Sequence, residues 1–152
     1  MRLALFEPDI PQNLGAFIRL SACLGAPLDV IEPCGFPIDD KRIRRAAMDY
    51  YDLANMTRHA SWTAFRRDRT PGRLVLLTTA GAARFPDVEF RSDDTLLLGR
   101  ESAGVPVEVH QAADLRLRIP LQKSLRSLNV ALAAAMVLGE ALRQTNGYAA
   151  LT

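Results

Sequence analysis

Short, almost wholly apolar segments of strand length alternate along this chain with stretches of helical periodicity, and that alternation constrains the fold more than any other feature. Leu74 to Thr78 is the clearest case. A strand without a polar face must be covered on both sides, which is how a buried parallel strand reads. Further strands are expected at Leu3 to Phe6, Leu28 to Ile31, Thr95 to Leu98 and Asp114 to Ile119. Helices are expected at Gln12 to Leu24, Asp40 to Tyr50, Ser61 to Arg67, in a short span opened by Pro106, and at Ser127 to Gln144. Proline suits a first helical turn, carboxylates such as Asp39 and Asp40 suit a helix's positive end, and Ser61 and Ser127 stand where caps belong. Strands and helices in this order give a parallel sheet with helices on both faces. No repeat, low-complexity tract or linker divides the sequence, so residues 1–152 are read as a single α/β domain.

Charge and cysteine content exclude several classes. The net charge is +2, from 19 basic and 17 acidic residues, so any affinity for nucleic acid has to come from a local cluster. Cys23 and Cys34 lack metal spacing and read as free thiols in a reducing compartment. His59 and His110 lie far apart with no cysteines near them, so no metal site is expected. No leader is recognisable, because Leu3 to Phe6 runs straight into Glu7 and Asp9. The longest apolar run, Val130 to Gly139, is well short of the ~20 residues that span a bilayer. The chain is therefore expected to be cytoplasmic.

Parallel sheets bind ligands beyond the carboxyl ends of their strands. This directs attention to the loops Thr78 to Ala83, Gly99 to Gly104 and Pro120 to Arg126. Four segments carry candidate chemistry. In the first, Gly15 and Arg19 share one face of the helix while Leu14, Phe17, Ile18 and Ser21 share another. A helix-interior glycine costs about 1 kcal/mol relative to alanine, which suggests a close backbone approach; a packing glycine beside an exposed arginine is the plainer reading. The second is the loop after Leu98, Gly99-Arg100-Glu101-Ser102-Ala103-Gly104, whose two glycines permit a tight turn or a ligand's approach. It is not the dinucleotide fingerprint, which needs three glycines at other spacings. The third is Ile119 to Asn129, where Ser127 can cap the last helix and Asn129 stands in its first turn, either capping it or organising the loop. The fourth is Lys41-Arg42-Ile43-Arg44-Arg45. On a helix these four cations span an arc of roughly 160°, with Ile43, Ala46, Ala47 and Tyr50 opposite. Such a face is either simply solvated or a contact for phosphates. Lys123 and Arg126 add charge to the third loop.

Taken in this order, the segments resemble the SPOUT superfamily of RNA methyltransferases. Asn13, Gly15 and Arg19 match its first motif, Gly99, Glu101 and Gly104 its second, and Ser127, Leu128 and Asn129 its third. The likeness covers essentially the whole chain. It is closest to the minimal members that methylate the wobble ribose of tRNA, through Phe6 to Asn13, Ile31-Glu32-Pro33 with Gly35-Phe36, Asp39 to Arg42, and Thr57-Arg58-His59.

The resemblance implies a Rossmann-like, trefoil-knotted fold and a homodimer whose active sites are completed by the second subunit. It implies S-adenosyl-L-methionine as cofactor, held by Leu77, Gly99, Ile119 and Ser127, with Arg19 catalytic. Asn13, Glu101 and Asn129 would organise the site. Lys41, Arg42, Arg44, Arg45 and His59 would hold the anticodon stem-loop of tRNA, leucine tRNAs among them. Neither metal nor membrane enters. Three other readings stand beside this one. A 2'-O-methyltransferase for another tRNA or ribosomal RNA position is mildly disfavoured, for ribosomal RNA, by the lack of an added RNA-binding domain. A catalytically silent RNA-binding module is opposed by the intact Arg19 and Ser127-Leu128-Asn129. A plain nucleotide-binding α/β protein is opposed by the missing phosphate fingerprint.

Overall fold

The computed structural model describes residues 1–151. In chain order its elements are β1 (Arg2–Phe6), α1 (Pro11–Leu24), β2 (Leu28–Ile31), α2 (Lys41–Ala47), β3 (Met56–His59), α3 (Trp62–Asp68), β4 (Leu74–Leu77), β5 (Ala83–Arg84), β6 (Thr95–Leu98), α4 (Val107–Ala112), β7 (Leu115–Arg118) and α5 (Val130–Gln144). All seven strands join one sheet in the order β3-β2-β1-β6-β4-β7-β5. Every pairing is parallel.

Side chains alternate across the sheet, and both faces are covered. Leu3, Leu5, Val75, Leu96 and Leu98 pack on one side against Leu14, Phe17 and Ile18 of α1, Ile43 of α2, and Val137 and Leu138 of α5. Ala4, Phe6, Leu74, Leu76 and Leu97 pack on the other against Phe65 of α3 and Val109 of α4. This is why the central strands lack a polar face. Full burial of one such leucine contributes about 1.5–3 kcal/mol.

Local chemistry sets the helix ends. Pro11 opens α1, and Gly25, in the left-handed region at φ 62°, closes it with its N–H on the Ser21 carbonyl. Asp40 caps α2 by accepting from the Arg42 N–H, and Ser61 caps α3 by accepting from the Ala64 N–H.

Four expectations are corrected. The helix expected from Asp40 to Tyr50 stops at Ala47 and tightens into a 3₁₀ turn, Met48–Tyr50, with Met48 at φ 56°. The last helix begins at Val130, not Ser127, because the Asn129 side chain takes the cap by accepting from the N–H groups of Ala131 and Leu132. Asp114 lies outside β7, where its backbone N–H meets the Leu74 carbonyl and its carboxylate takes the Leu74 N–H. Finally, β3 and β5 were not expected. β3 is polar and mostly exposed at the sheet edge, and β5 has only two residues.

Gly15 makes the close approach that its position suggested. A Cβ there would fall 2.5 Å from both the Ala46 Cβ and the Ile43 carbonyl oxygen of α2. Gly15→Ala should therefore destabilise the protein. Overpacking costs about 1–3 kcal/mol, which outweighs a helix-propensity gain of at most about 1 kcal/mol. Urea denaturation is expected to show a lower midpoint with an unchanged slope.

Candidate functional site

Because β6, β4 and β7 are neighbours, the loops that leave their carboxyl ends converge. They enclose a cavity of about 850 Å³. Leu77, Gly99, Ile119 and Ser127 all line it, as do Asn13, Glu101 and Asn129. Its walls are apolar near the sheet, with Leu98, Leu117 and Val130, and polar near the rim, with Ser102, Lys123 and Arg126.

Gly99 shapes the floor. The chain after β6 turns back so tightly that Arg100 and Gly104 exchange backbone hydrogen bonds of 3.0 and 2.8 Å. A Cβ on residue 99 would stand 2.5 Å from the Gly104 carbonyl carbon, and Gly104 itself sits at φ 64°. Position 99 therefore requires glycine, and position 104 favours it.

A chain of side-chain hydrogen bonds joins the three motif segments. The Asn13 amide nitrogen donates to Glu101 Oε1 at 2.9 Å, and Asn129 Nδ2 donates to Asn13 Oδ1 at 3.0 Å. Asn129 Oδ1 meanwhile accepts from Ala131 N–H at 2.9 Å and Leu132 N–H at 3.2 Å. One residue thus caps α5 and ties it to α1.

Glu101 faces a second carboxyl group, Asp9. The Asp9 N–H donates to Glu101 Oε2, the Glu101 N–H donates to Asp9 Oδ1, and the Ser102 hydroxyl donates to Asp9 Oδ2. Burial, and then the facing Asp9, push the Glu101 carboxyl above the usual glutamate range. Hydrogen bonding to Glu101 holds Asp9 below the usual aspartate range. The charge therefore resides first on Asp9. Nearby, Arg100 pairs with Glu7 and lies over the Phe6 ring.

Arg19 is not brought to this cavity. It is exposed on α1, donates to the Met48 sulfur at 3.0 Å, and lies 5.6 Å from the centre of the Tyr50 ring. Lys41, Arg42, Arg44 and Arg45 form the expected exposed basic face of α2. Arg42 pairs with the capping Asp40, whose carboxyl pKa falls to about 2 through that contact. Arg44 stacks 4.2 Å from the centre of the Tyr51 ring. Lys41 and Arg45 have no ion-pair partner among the described residues.

His59, expected beside these cations, is instead turned into the protein. It is 6% exposed, hydrogen-bonded through Nε2 to buried Asp29 at 2.8 Å, and packed edge-on against Phe65. Arg2 completes that buried cluster on Asp29. Asp9 and Ser102 were overlooked as site residues. Both lie in stretches that the sequence singled out, but the pairing that gives them a role spans more than ninety positions.

The SpoU rRNA Methylase family matches residues 1–139. The chain is 58% identical to the tRNA (cytidine(34)-2'-O)-methyltransferase of Beijerinckia indica subsp. indica, over 97% of this chain and 93% of that protein. It is similar to a solved structure described as "Structural insights into the 2-OH methylation of C/U34 on tRNA", with TM-score 0.91, 38% identity and 96% of each chain covered. It is also similar to the SpoU methyltransferase AviRb from Streptomyces viridochromogenes in complex with AdoMet, with TM-score 0.83, 30% identity, and 95% of this chain and 60% of that one covered.

Asn129→Ala removes a cap and the link to Asn13 together. It should lower stability by about 1–2 kcal/mol. Asn129→Asp keeps the cap acceptor but cannot donate to Asn13. It should recover most of the stability, measured by urea denaturation, without restoring ligand affinity at the cavity, measured by calorimetry.

Proposed function

Because the chain belongs to the SpoU rRNA methylase family, we propose that it transfers a methyl group from S-adenosyl-L-methionine to a ribose 2'-hydroxyl of tRNA in the cytoplasm. The substrate nucleotide is the wobble residue, position 34, as cytidine or modified uridine, with leucine tRNAs among the substrates. The observation that carries the reading is the Glu101–Asn13–Asn129 chain, which assembles three distant motif segments around one cavity. The match in length supports a tRNA enzyme: the chain spans 93% of the Beijerinckia protein and 60% of AviRb.

The cavity suits the cofactor. At about 850 Å³ it falls among ligand pockets of roughly 300–1,000 Å³. Leu77 and Ile119 offer apolar walls, Gly99 leaves backbone accessible, and Ser127 offers a hydroxyl. The bound cofactor supplies a methyl group on a sulfonium, already a good leaving group. The protein's task is therefore to place and orient the ribose hydroxyl, which can account for several kcal/mol.

Arg19 is the catalytic residue of this reading, in an unusual role. A guanidinium is in general an awkward base. Arg19 orients the hydroxyl, and a substrate phosphate takes the proton. Since Arg19 does not line the cavity of its own chain, the site is completed by a second copy. The apolar, exposed Leu132 and Met136, one turn apart on α5 and 64% and 46% exposed, suit burial in such a homodimer. The trefoil knot belongs to the same reading, supported by the return of α5 from the end of β7 across β6 to α1. Lys41, Arg42, Arg44 and Arg45 hold the anticodon stem-loop, and Lys123 and Arg126 line the cavity that the nucleotide enters.

Incubation with labelled S-adenosylmethionine and bulk tRNA should place label on the ribose of nucleotide 34; absence of label from tRNA would sink the reading. Arg19→Ala should cut transfer by roughly 100-fold or more through lost orientation of the hydroxyl, with cofactor affinity retained. Arg42→Ala and Arg45→Ala should each reduce the salt slope of tRNA binding by about one, read by filter binding across a salt series.

A further inference from the structure

We propose that Asp9 is a positioning residue of the methyl-transfer site: its carboxylate locks the Gly99–Gly104 turn onto the segment that carries Asn13, and so fixes one wall of the cofactor cavity. The proposal rests on the methyltransferase reading of that cavity and assigns a role to a residue that does not line it.

Asp9 and Glu101 clasp each other through main chain and side chain at once. Asp9 N–H reaches Glu101 Oε2 at 3.2 Å, and Glu101 N–H reaches Asp9 Oδ1 at 3.0 Å. Asp9 Oδ2 takes the Ser102 hydroxyl. Glu101 is thus left with one oxygen for Asn13, which it uses at 2.9 Å. Removing the Asp9 carboxylate frees the backbone N–H of residue 101 and the hydroxyl of residue 102, and leaves the turn held to this segment only through the backbone N–H of residue 9 on Glu101 Oε2.

Asp9 is also braced from behind. Gly35, in the loop between β2 and α2, donates its N–H to the Pro8 carbonyl at 2.9 Å. A Cβ on residue 35 would fall 2.9 Å from the Asp9 Cβ. Only glycine lets that loop lie so close, and the loop leads directly into the basic helix α2. Asp9 therefore stands between the segment that bears the cations and the turn that lines the cavity.

The clasp lies outside both clusters that form the apolar core. Its loss should loosen a loop rather than melt the sheet.

The test compares wild type, Asp9→Ala and Asp9→Asn in S-adenosylmethionine binding by calorimetry and in steady-state transfer to tRNA. Asparagine keeps an acceptor for the Glu101 N–H and can donate to Ser102 Oγ, so it preserves the clasp without the charge. Asp9→Ala is expected to weaken cofactor binding about tenfold, the size of one lost charge-assisted hydrogen bond. Its kcat should fall about 10- to 100-fold while KM for tRNA stays within about twofold. Asp9→Asn should recover most of both losses, and both variants should melt within about 4 °C of wild type. Wild-type affinity and kcat in Asp9→Ala, or equal losses in alanine and asparagine, would overturn the assignment. A wild-type protein that binds S-adenosylmethionine but methylates no tRNA would refute the tRNA reading alone, since the binding comparison still reports on Asp9.

Discussion

Both ends of the Asn13 amide are committed. Its nitrogen donates to Glu101, and its oxygen accepts from Asn129. The residue is nearly buried, so neither end has water as an alternative. The two bonds fix the amide's orientation and set α1, the turn after β6 and the start of α5 at one mutual distance. Aspartate in its place could not donate, and leucine could make neither bond. The cavity is thus a consequence of one polar side chain satisfied on both sides at the end of an apolar sheet.

Charge is sorted around that junction. The acids at the ends of β1 and β6 face inward and are contained: Glu7 by Arg100, Asp9 and Glu101 by each other and by backbone N–H groups. The cations of α2 face outward, held at their base by Asp40. A net charge of +2 conceals this arrangement. The exposed charge is therefore the positive face of α2, while the carboxylates that shape the cavity are already occupied with partners.

The central strands were legible because they are buried on both faces, and a wholly apolar run leaves few alternatives. The edges were not. Met-Thr-Arg-His of β3 exposes its middle residues, and nothing but pairing to β2 makes it a strand. The resemblance alone put His59 among the RNA-holding residues; its place at the end of β3 turns it inward onto Asp29. Ser127 and Asn129 are both good cap residues, and local sequence could not choose between them. The choice was made by Asn13, which needs a donor from residue 129. The seven cavity residues named from motifs do come together. Arg19 does not join them: it lies on the exposed face of α1, against Met48 and Tyr50.

The order of strands in the sheet carries a cost in time. The central pairing joins Arg2 to Thr95, so the middle of the sheet cannot close until about two thirds of the chain has been made. At synthesis rates of roughly 5–20 residues per second, β1 waits on the order of 5 to 20 seconds for its neighbour. During that interval the edge of β1 that will meet β6 has no strand beside it, and only β2 pairs with β1. Non-local parallel pairing of this kind is slow to form and exposes strand edges while it waits. The architecture that gathers three loops into one cavity thus makes the nascent chain dependent on the ribosome's pace and on whatever shields its first strand.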